Sequence, residues 1–341
     1  EIMLLREHLE ELTKEELLNW ARSFELKNCS RLRKAMLIDK LLEYFCTEEV
    51  LRERMVCLTK DQMNLLRRAC QTPQDLSIKD IVNGIQLYRY WLGGFEDPSD
   101  KFCVFEEIKE TFRKIDDEAF KAEQFKKGWL MECVQFFANY YGIAPVEILY
   151  ELYRLRVKRS SIEEMTDLLE EMPIDLVECC IFPMEQMGFD HWPKTDPLYS
   201  AIGLVVYFPI MDDNELSYLH DQQMDKPFYI PSAGQIEEIS RLGYEESSLA
   251  YRELKSFLIK KMKMTYEKAI AWCVKIWANS YDRNVPAAMI NETSESGVKF
   301  ENERQVAEVI GLVLNAHNNT RMIENRGYTP NELGKSYWKN K

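Results

Sequence analysis

Between positions 22 and 40 the chain gathers Arg22, Lys27, Arg31, Arg33, Lys34 and Lys40 against two acids, Glu25 and Asp39. Clustered guanidinium and ammonium groups neutralise phosphates and release condensed counterions, so this spacing points to the backbone of DNA or RNA. Ser30 is read as the N-cap of the helix that follows. The positive end of that helix and its free amides then face the same side as Arg31, Arg33 and Lys34, which suits a phosphate. Contact of this kind is salt-sensitive and tolerant of sequence. The competing reading is that these bases only solvate a connector, in a module that is structural or binds protein.

Two weaker constellations lie further on. Asn315, His317, Asn318 and Arg321 fall at the end of an apolar helical pattern and are read as one polar cluster of unassigned role. Asp212, Asp213, Glu215, His220 and Asp221 hold ligand types that suit a divalent cation, yet their order fits no loop or helical ligand motif, and a solvated turn explains them as well. His191 beside Trp192 is equally ambiguous. No Walker loop, dinucleotide glycine fingerprint, H-E-x-x-H or G-x-S-x-G is present. No catalytic residue, metal site or cofactor is therefore assigned, and the reading leans away from an enzyme.

The elements that must position these residues are mostly helical. Thr13 with Glu16, Thr59 with Gln62, Ser77 with Asp80, Ser161 with Glu164 and Thr329 with Glu332 each fit a capping box, in which the hydroxyl and the carboxyl or amide satisfy one another's backbone amides. Leu12, Leu17, Trp20, Ala21 and Phe24 make one apolar face, and Leu26, Leu32, Leu37, Ile38, Leu41 and Leu42 make its partner. Leu12–Phe45 is thus read as a helix, a basic connector and a helix. Gly93-Gly94 stops a helix, Asp97-Pro98-Ser99-Asp100 makes a turn, and Val104–Ile115 is amphipathic. Phe125–Tyr141 and a helix through Leu155 form a pair, with Gly142 as cap and Pro145 in the first turn of the second. Seven of the twelve prolines fall between Pro173 and Pro231, where Ile202–Phe208 and Phe228–Ile230 are read as strands. The last long helix is placed over Asn302–Ile323.

The fold expected is mainly α: a small helix-connector-helix module over residues 1–50, a helical, winged-helix-like unit over 51–172, and a mainly helical unit over 173–341 with a minor β element near 202–230. Net charge is -13, which excludes an all-round basic nucleic-acid surface and confines any such contact to a local patch. The hydrophobic fraction of 46% is enough for a sizeable core. Nine cysteines without framework spacing, and an apolar run at Ala201–Met211 too short to span a bilayer, set the expectation of a cytoplasmic protein with no membrane partner.

Leu12-Thr13-x-x-Glu16-Leu17 and Leu32-Arg33-Lys34-x-x-Leu37-Ile38 resemble the N-terminal domain of transcription terminator Rho and, more loosely, SAP-type modules. The resemblance covers about a tenth of the chain and implies a nucleic-acid-binding helical module, although the oligonucleotide-binding barrel that accompanies it in Rho is not legible here. Asn315 to Leu333 resembles the end of bacterial proteins that continue into a SEC-C zinc motif. No cysteine follows Asn315, so zinc does not carry over. The chain as a whole resembles Firmicute and phage proteins with a Rho-like N-terminus. The function favoured is a non-enzymatic nucleic-acid-binding or regulatory protein. An acidic protein-interaction scaffold stands second, and a metal-dependent hydrolase or nuclease third.

Overall fold

The structure is a computed structural model and describes residues 2–187, 194–211, 213–279, 287–289, 291 and 300–337. It is mainly helical, with a two-stranded and a three-stranded antiparallel sheet among the described residues. The chain forms two compact units, each built from two stretches of sequence. The first joins Glu1–Met131 to Glu163–Val177, and the second joins Glu132–Ile162 to Glu178–Lys341. The sequence reading had placed its divisions near 50 and 172.

In the first unit, α1 (Leu5–Glu11) and α2 (Lys14–Ser23) both pack on α3 (Lys34–Phe45). Leu5, Leu9, Leu17, Ala21, Leu37, Ile38, Leu41 and Phe45 are buried, which gives the apolar faces read from the sequence a third helix to close on. Trp20, Phe24, Phe45 and Trp91 stack edge and face around them. The boxes at Thr13 and Thr59 cap α2 and α5 (Lys60–Gln71) as expected. Ser77 does not cap a helix: its hydroxyl meets the Asp80 carboxylate within a turn, and Asp80 stands at the N-cap of α6 (Ile81–Arg89) without a side-chain cap bond. Between α3 and α5 lies α4 (Glu48–Met55), capped by Thr47.

After α6 the chain forms the hairpin β1 (Gly93–Glu96) and β2 (Lys101–Val104), with Gly93 opposite Val104 and Glu96 opposite Lys101. Gln74 bridges to Phe102 at the other edge of β2. The order along this stretch is helix, bridge, helix, hairpin. The glycine pair and the turn at 97–100 therefore belong to a hairpin, and the amphipathic helix starts just beyond it as α7 (Glu106–Ile115). The long α8 (Glu118–Tyr140) follows, and the boundary between the units falls inside it. α10 (Ile162–Glu171) and α11 (Ile174–Val177) return to the first unit.

In the second unit Gly142, at φ 70, ends α8 by donating to the Phe137 carbonyl, in the left-handed geometry that glycine adopts freely. β3 (Ile143–Pro145) and α9 (Val146–Arg154) come next. β5 (Leu204–Tyr207) is the central strand, paired to β3 and to β4 (Cys179–Phe182). Ile143, Met184, Leu198, Leu204 and Val206 form the core against it. The minor β element expected near 202–230 is present as Leu204–Tyr207, the one strand among the described residues there, and its partners come from 143–145 and 179–182. Phe228–Ile230 is irregular because the Tyr229 amide donates to the Arg326 carbonyl rather than to a strand. Further helices are α12 (Asp213–Gln223), α13 (Ala233–Leu242), α14 (Leu249–Lys260), α15 (Tyr266–Ala278), α16 (Glu303–Asn318) and α17 (Pro330–Tyr337). α16 ends at Asn318, five residues short of the expected Ile323, and a single 3-10 turn occupies Ile323–Asn325.

Candidate functional site: the basic connector and the C-terminal arginines

The connector between α2 and α3 is held by its own backbone and by two of its candidate bases. Glu25 and Asn28 take left-handed φ values of 55 and 61, which turn the chain sharply. Cys29 is buried, and its thiol donates to the Leu26 carbonyl at 3.4 Å. The ammonium of Lys40 donates to the Lys27 carbonyl, so these two candidates meet through backbone rather than as a pair of free charges. Lys34 reaches back to the Glu10 carbonyl at 2.6 Å and ties the start of α3 to the end of α1. Its charge also helps to hold the Glu16 carboxyl below the usual range, after the larger effect of the Thr13 amide and hydroxyl.

Arg22 is exposed and donates to the Asn19 side chain at 2.7 Å. Lys27, Arg31 and Arg33 are exposed, and none of the three side chains has a hydrogen-bond or ion-pair partner among the described residues. Other arginines of the same unit are committed. Arg54 makes a two-point pair with Asp175 at 2.7 and 3.1 Å, Arg67 meets Asp116 at 2.7 Å, and Arg6 meets Asp39 at 2.6 Å. One detail of the expected phosphate cradle is corrected. α3 begins at Lys34 with Arg33 as its N-cap and no side-chain cap, so Ser30 lies in the turn and does not cap the helix. Arg33 cannot accept an amide hydrogen as serine would, and the first-turn amides of α3 get no side-chain partner from their cap.

The C-terminal candidates separate. Asn315 and Asn318 are exposed and His317 is half-buried at the end of α16. Asn315 serves Asn319, whose side-chain amide donates to its carbonyl at 2.8 Å. Arg321 is buried elsewhere, at 3% exposure. Its Nε and Nη2 donate to the Glu245 carboxylate at 2.7 and 3.3 Å, and its Nη1 donates to the Gly327 carbonyl at 2.9 Å and to Glu332 at 3.1 Å. Nη2 also donates to the Tyr229 hydroxyl at 3.0 Å, and the guanidinium lies 3.7 Å from the Tyr229 ring centre. Arg321 therefore works as a strut joining the 229, 245 and 327–332 segments. Glu332 is shared: it accepts from the Thr329 amide as a capping box and from Arg321. The partners Tyr229 and Glu245 lie 92 and 76 residues from Arg321 and carried no sequence signal.

Asp212 and the side chain of Asp213 lie outside the described residues, as do His191 and Trp192. His220 stands 3.7 Å from the Asp221 carboxylate. Among the described residues no group of three or more His, Cys, Asp or Glu side chains could hold a metal ion. All nine cysteines are free thiols, and burial pushes Cys46, Cys57, Cys179 and Cys273 up to about 12, far from nucleophilic use at neutral pH. Among the described residues no helix is long and apolar enough to cross a membrane.

The chain matches no protein-family model, no curated protein and no solved structure. What the connector can do therefore rests on its own chemistry: exposed cations on a pinned turn, suited to a polyanion's backbone.

Proposed function

We propose that the protein binds nucleic acid through the α2–α3 connector, with Arg31 and Arg33 as the principal phosphate contacts and Lys27 and Arg22 beside them. One observation carries this reading. In a chain of net charge -13, Arg31 and Arg33 keep exposed guanidinium groups that no carboxylate among the described residues pairs with. The turn beneath them is fixed by Lys34 and Lys40, which act on backbone carbonyls and so serve as supports rather than contacts. The resemblance to the Rho N-terminal domain points the same way. Phosphate contacts give a steep salt dependence, with log K falling by about 0.9 per neutralised phosphate for each decade of salt on duplex DNA. The test is titration of single- and double-stranded DNA and RNA by fluorescence anisotropy at several salt concentrations. Binding that is absent, or whose salt slope is unchanged in the Arg31→Gln/Arg33→Gln double variant, would sink the proposal.

A second reading has its own observation. Ile81, Ile85 and Tyr88 follow one another along α6 at helical spacing and are exposed, with Phe95 of the hairpin next to Tyr88. The neighbouring hairpin turn carries Glu96, Asp97 and Asp100, which would repel phosphate. This surface fits a protein partner better than a nucleic acid, and it favours an interaction scaffold.

A further inference from the structure

Arg326 is buried to 1% exposure, and no carboxylate among the described residues pairs with it. Its Nη1 donates to the Lys226 carbonyl at 2.6 Å, and its guanidinium lies 4.5 Å from the centre of the Phe228 ring. Its Nε is buried without an acceptor. Removing a charge from water costs several kcal/mol unless a counter-charge and hydrogen bonds replace the water, so buried guanidinium groups are ordinarily paired as Arg321 is.

The surroundings sharpen the anomaly. Lys226 is a second cation set against the same turn from about a hundred residues earlier in the chain, with its ammonium on the Glu324 carbonyl at 2.9 Å and on the Asn325 side chain at 3.0 Å. Burial lowers the Lys226 ammonium and takes Arg326 down to about 10, although Asp196 and Asp225 pull Arg326 the other way from a distance. Two acceptors are orphaned in the same neighbourhood. Gln223 spends its amide nitrogen on the Tyr141 and Ile323 carbonyls and leaves its buried Oε1 without a donor. Glu324 likewise has a buried Oε2 without a donor, and burial raises its carboxyl. The backbone is held in an unfavourable region at both sides, with Asp225 at φ 63 and Arg326 at φ 48. Such strain persists where the fold holds a group in place for use.

A missing anion would answer the orphaned donor, and a missing donor would answer the orphaned acceptors. A protonated phosphate group carries both. Two of its oxygens fit the Nε edge of a guanidinium, and its O–H donates to an amide oxygen or a carboxyl. Carboxylate and sulfate lack the proton at neutral pH. We infer that the turn Ile323–Arg326, with Gln223, Lys226 and Phe228, is a binding site for one small phosphate group, free or as a monoester, anchored on Arg326. This site is separate from the basic connector and stands whether or not that connector binds nucleic acid.

The experiment uses the full chain carrying Arg31→Gln and Arg33→Gln, so that phosphate taken up by the connector is removed from the signal. Thermal unfolding is followed against inorganic phosphate, glycerol phosphate, sulfate and acetate, each matched in ionic strength by chloride. A saturable rise in Tm with phosphate, smaller with sulfate and acetate, and lost on further Arg326→Gln substitution, is the expected result. A rise with inorganic phosphate alone marks free phosphate as the ligand; a rise with glycerol phosphate as well marks a monoester site. Equal Tm in phosphate and chloride overturns the inference, as does a phosphate effect that survives Arg326→Gln. Should Arg326→Gln not fold, arginine Nε–H resonances of the parent chain decide the matter. A saturable shift of one buried Nε–H with phosphate upholds the site, and unmoved resonances overturn it.

Discussion

Arg31 and Arg33 in the N-terminal unit and Arg321 in the C-terminal unit carry the same side chain on the same kind of short irregular segment. Their charges are used in opposite ways. The first two are exposed and have no partner among the described residues, on a turn held by backbone carbonyls and two lysines. Arg321 is sealed in and divides its guanidinium among Glu245, Gly327, Glu332 and Tyr229. The comparison shows how to sort arginines in a chain of unknown role. Exposure alone says little, since Arg6 keeps 43% of its side chain exposed yet is paired with Asp39. A charge is available for a ligand when no neighbour has claimed it.

The sharpest way to break the comparison is to remove Arg321. Arg321→Ala leaves Glu245 buried without its partner, and a loss of about 3–5 kcal/mol is expected in denaturant unfolding, by the usual cost of breaking a buried pair. A loss below about 1 kcal/mol would show that Arg321 is no strut. Lys34→Ala should fall between the two classes, since a single exposed lysine-to-carbonyl bond typically contributes about 1 kcal/mol. Its stability loss should exceed that of Arg31→Gln, and an equal loss would remove the distinction between supports and contacts.

Acid gives a third measurement, confined to the N-terminal unit. His8 is packed between the Tyr88 and Phe105 rings, and burial lowers its imidazole below its ordinary value of about 6.5. A base with a depressed folded value binds fewer protons folded than unfolded. Its contribution is therefore whole above the ordinary value and fades as pH falls through the lowered one. Stability should drop as pH falls below about 6.5, and His8→Phe should flatten that dependence; an unchanged profile would place the acid sensitivity elsewhere. The smallest effect belongs to Arg31→Gln/Arg33→Gln. Unfolding should move by no more than about 0.5 kcal/mol, as for surface changes that break no contact. The same variant should lose about 1–2 units of salt slope in nucleic-acid binding.

The parts of this architecture that could be read along the chain are those set by neighbours in sequence. Thr13, Thr59 and Thr329 cap their helices because each box needs only a residue three places on. Gly142 ends α8 for an equally local reason. Ser30 and Ser77 mislead because a turn can use a serine as readily as a helix can, and only the chain beyond decides. The hairpin at 93–104 was hidden by its length, four residues a strand, too short for alternation to register. β5 was legible as the apolar run at 202–208, whereas β4 needed a partner from further along the chain, as did Arg321, whose grouping with Asn315, His317 and Asn318 followed proximity in sequence rather than in space. The basic connector was legible as composition. Which of its cations are spent on carbonyls was not, because Glu10 carries no side-chain mark of accepting Lys34 through its backbone.

The return of Glu163–Val177 to the first unit sets a schedule for synthesis. Arg54, 5% exposed, waits for Asp175, and Lys127 waits for Glu171. A nascent chain that has reached Met131 holds every residue of the basic connector but neither of these counter-charges. It must hold Lys127 on Glu123 alone and carry Arg54 without its carboxylate until about forty further residues have been added, an interval of a few seconds at ordinary elongation rates.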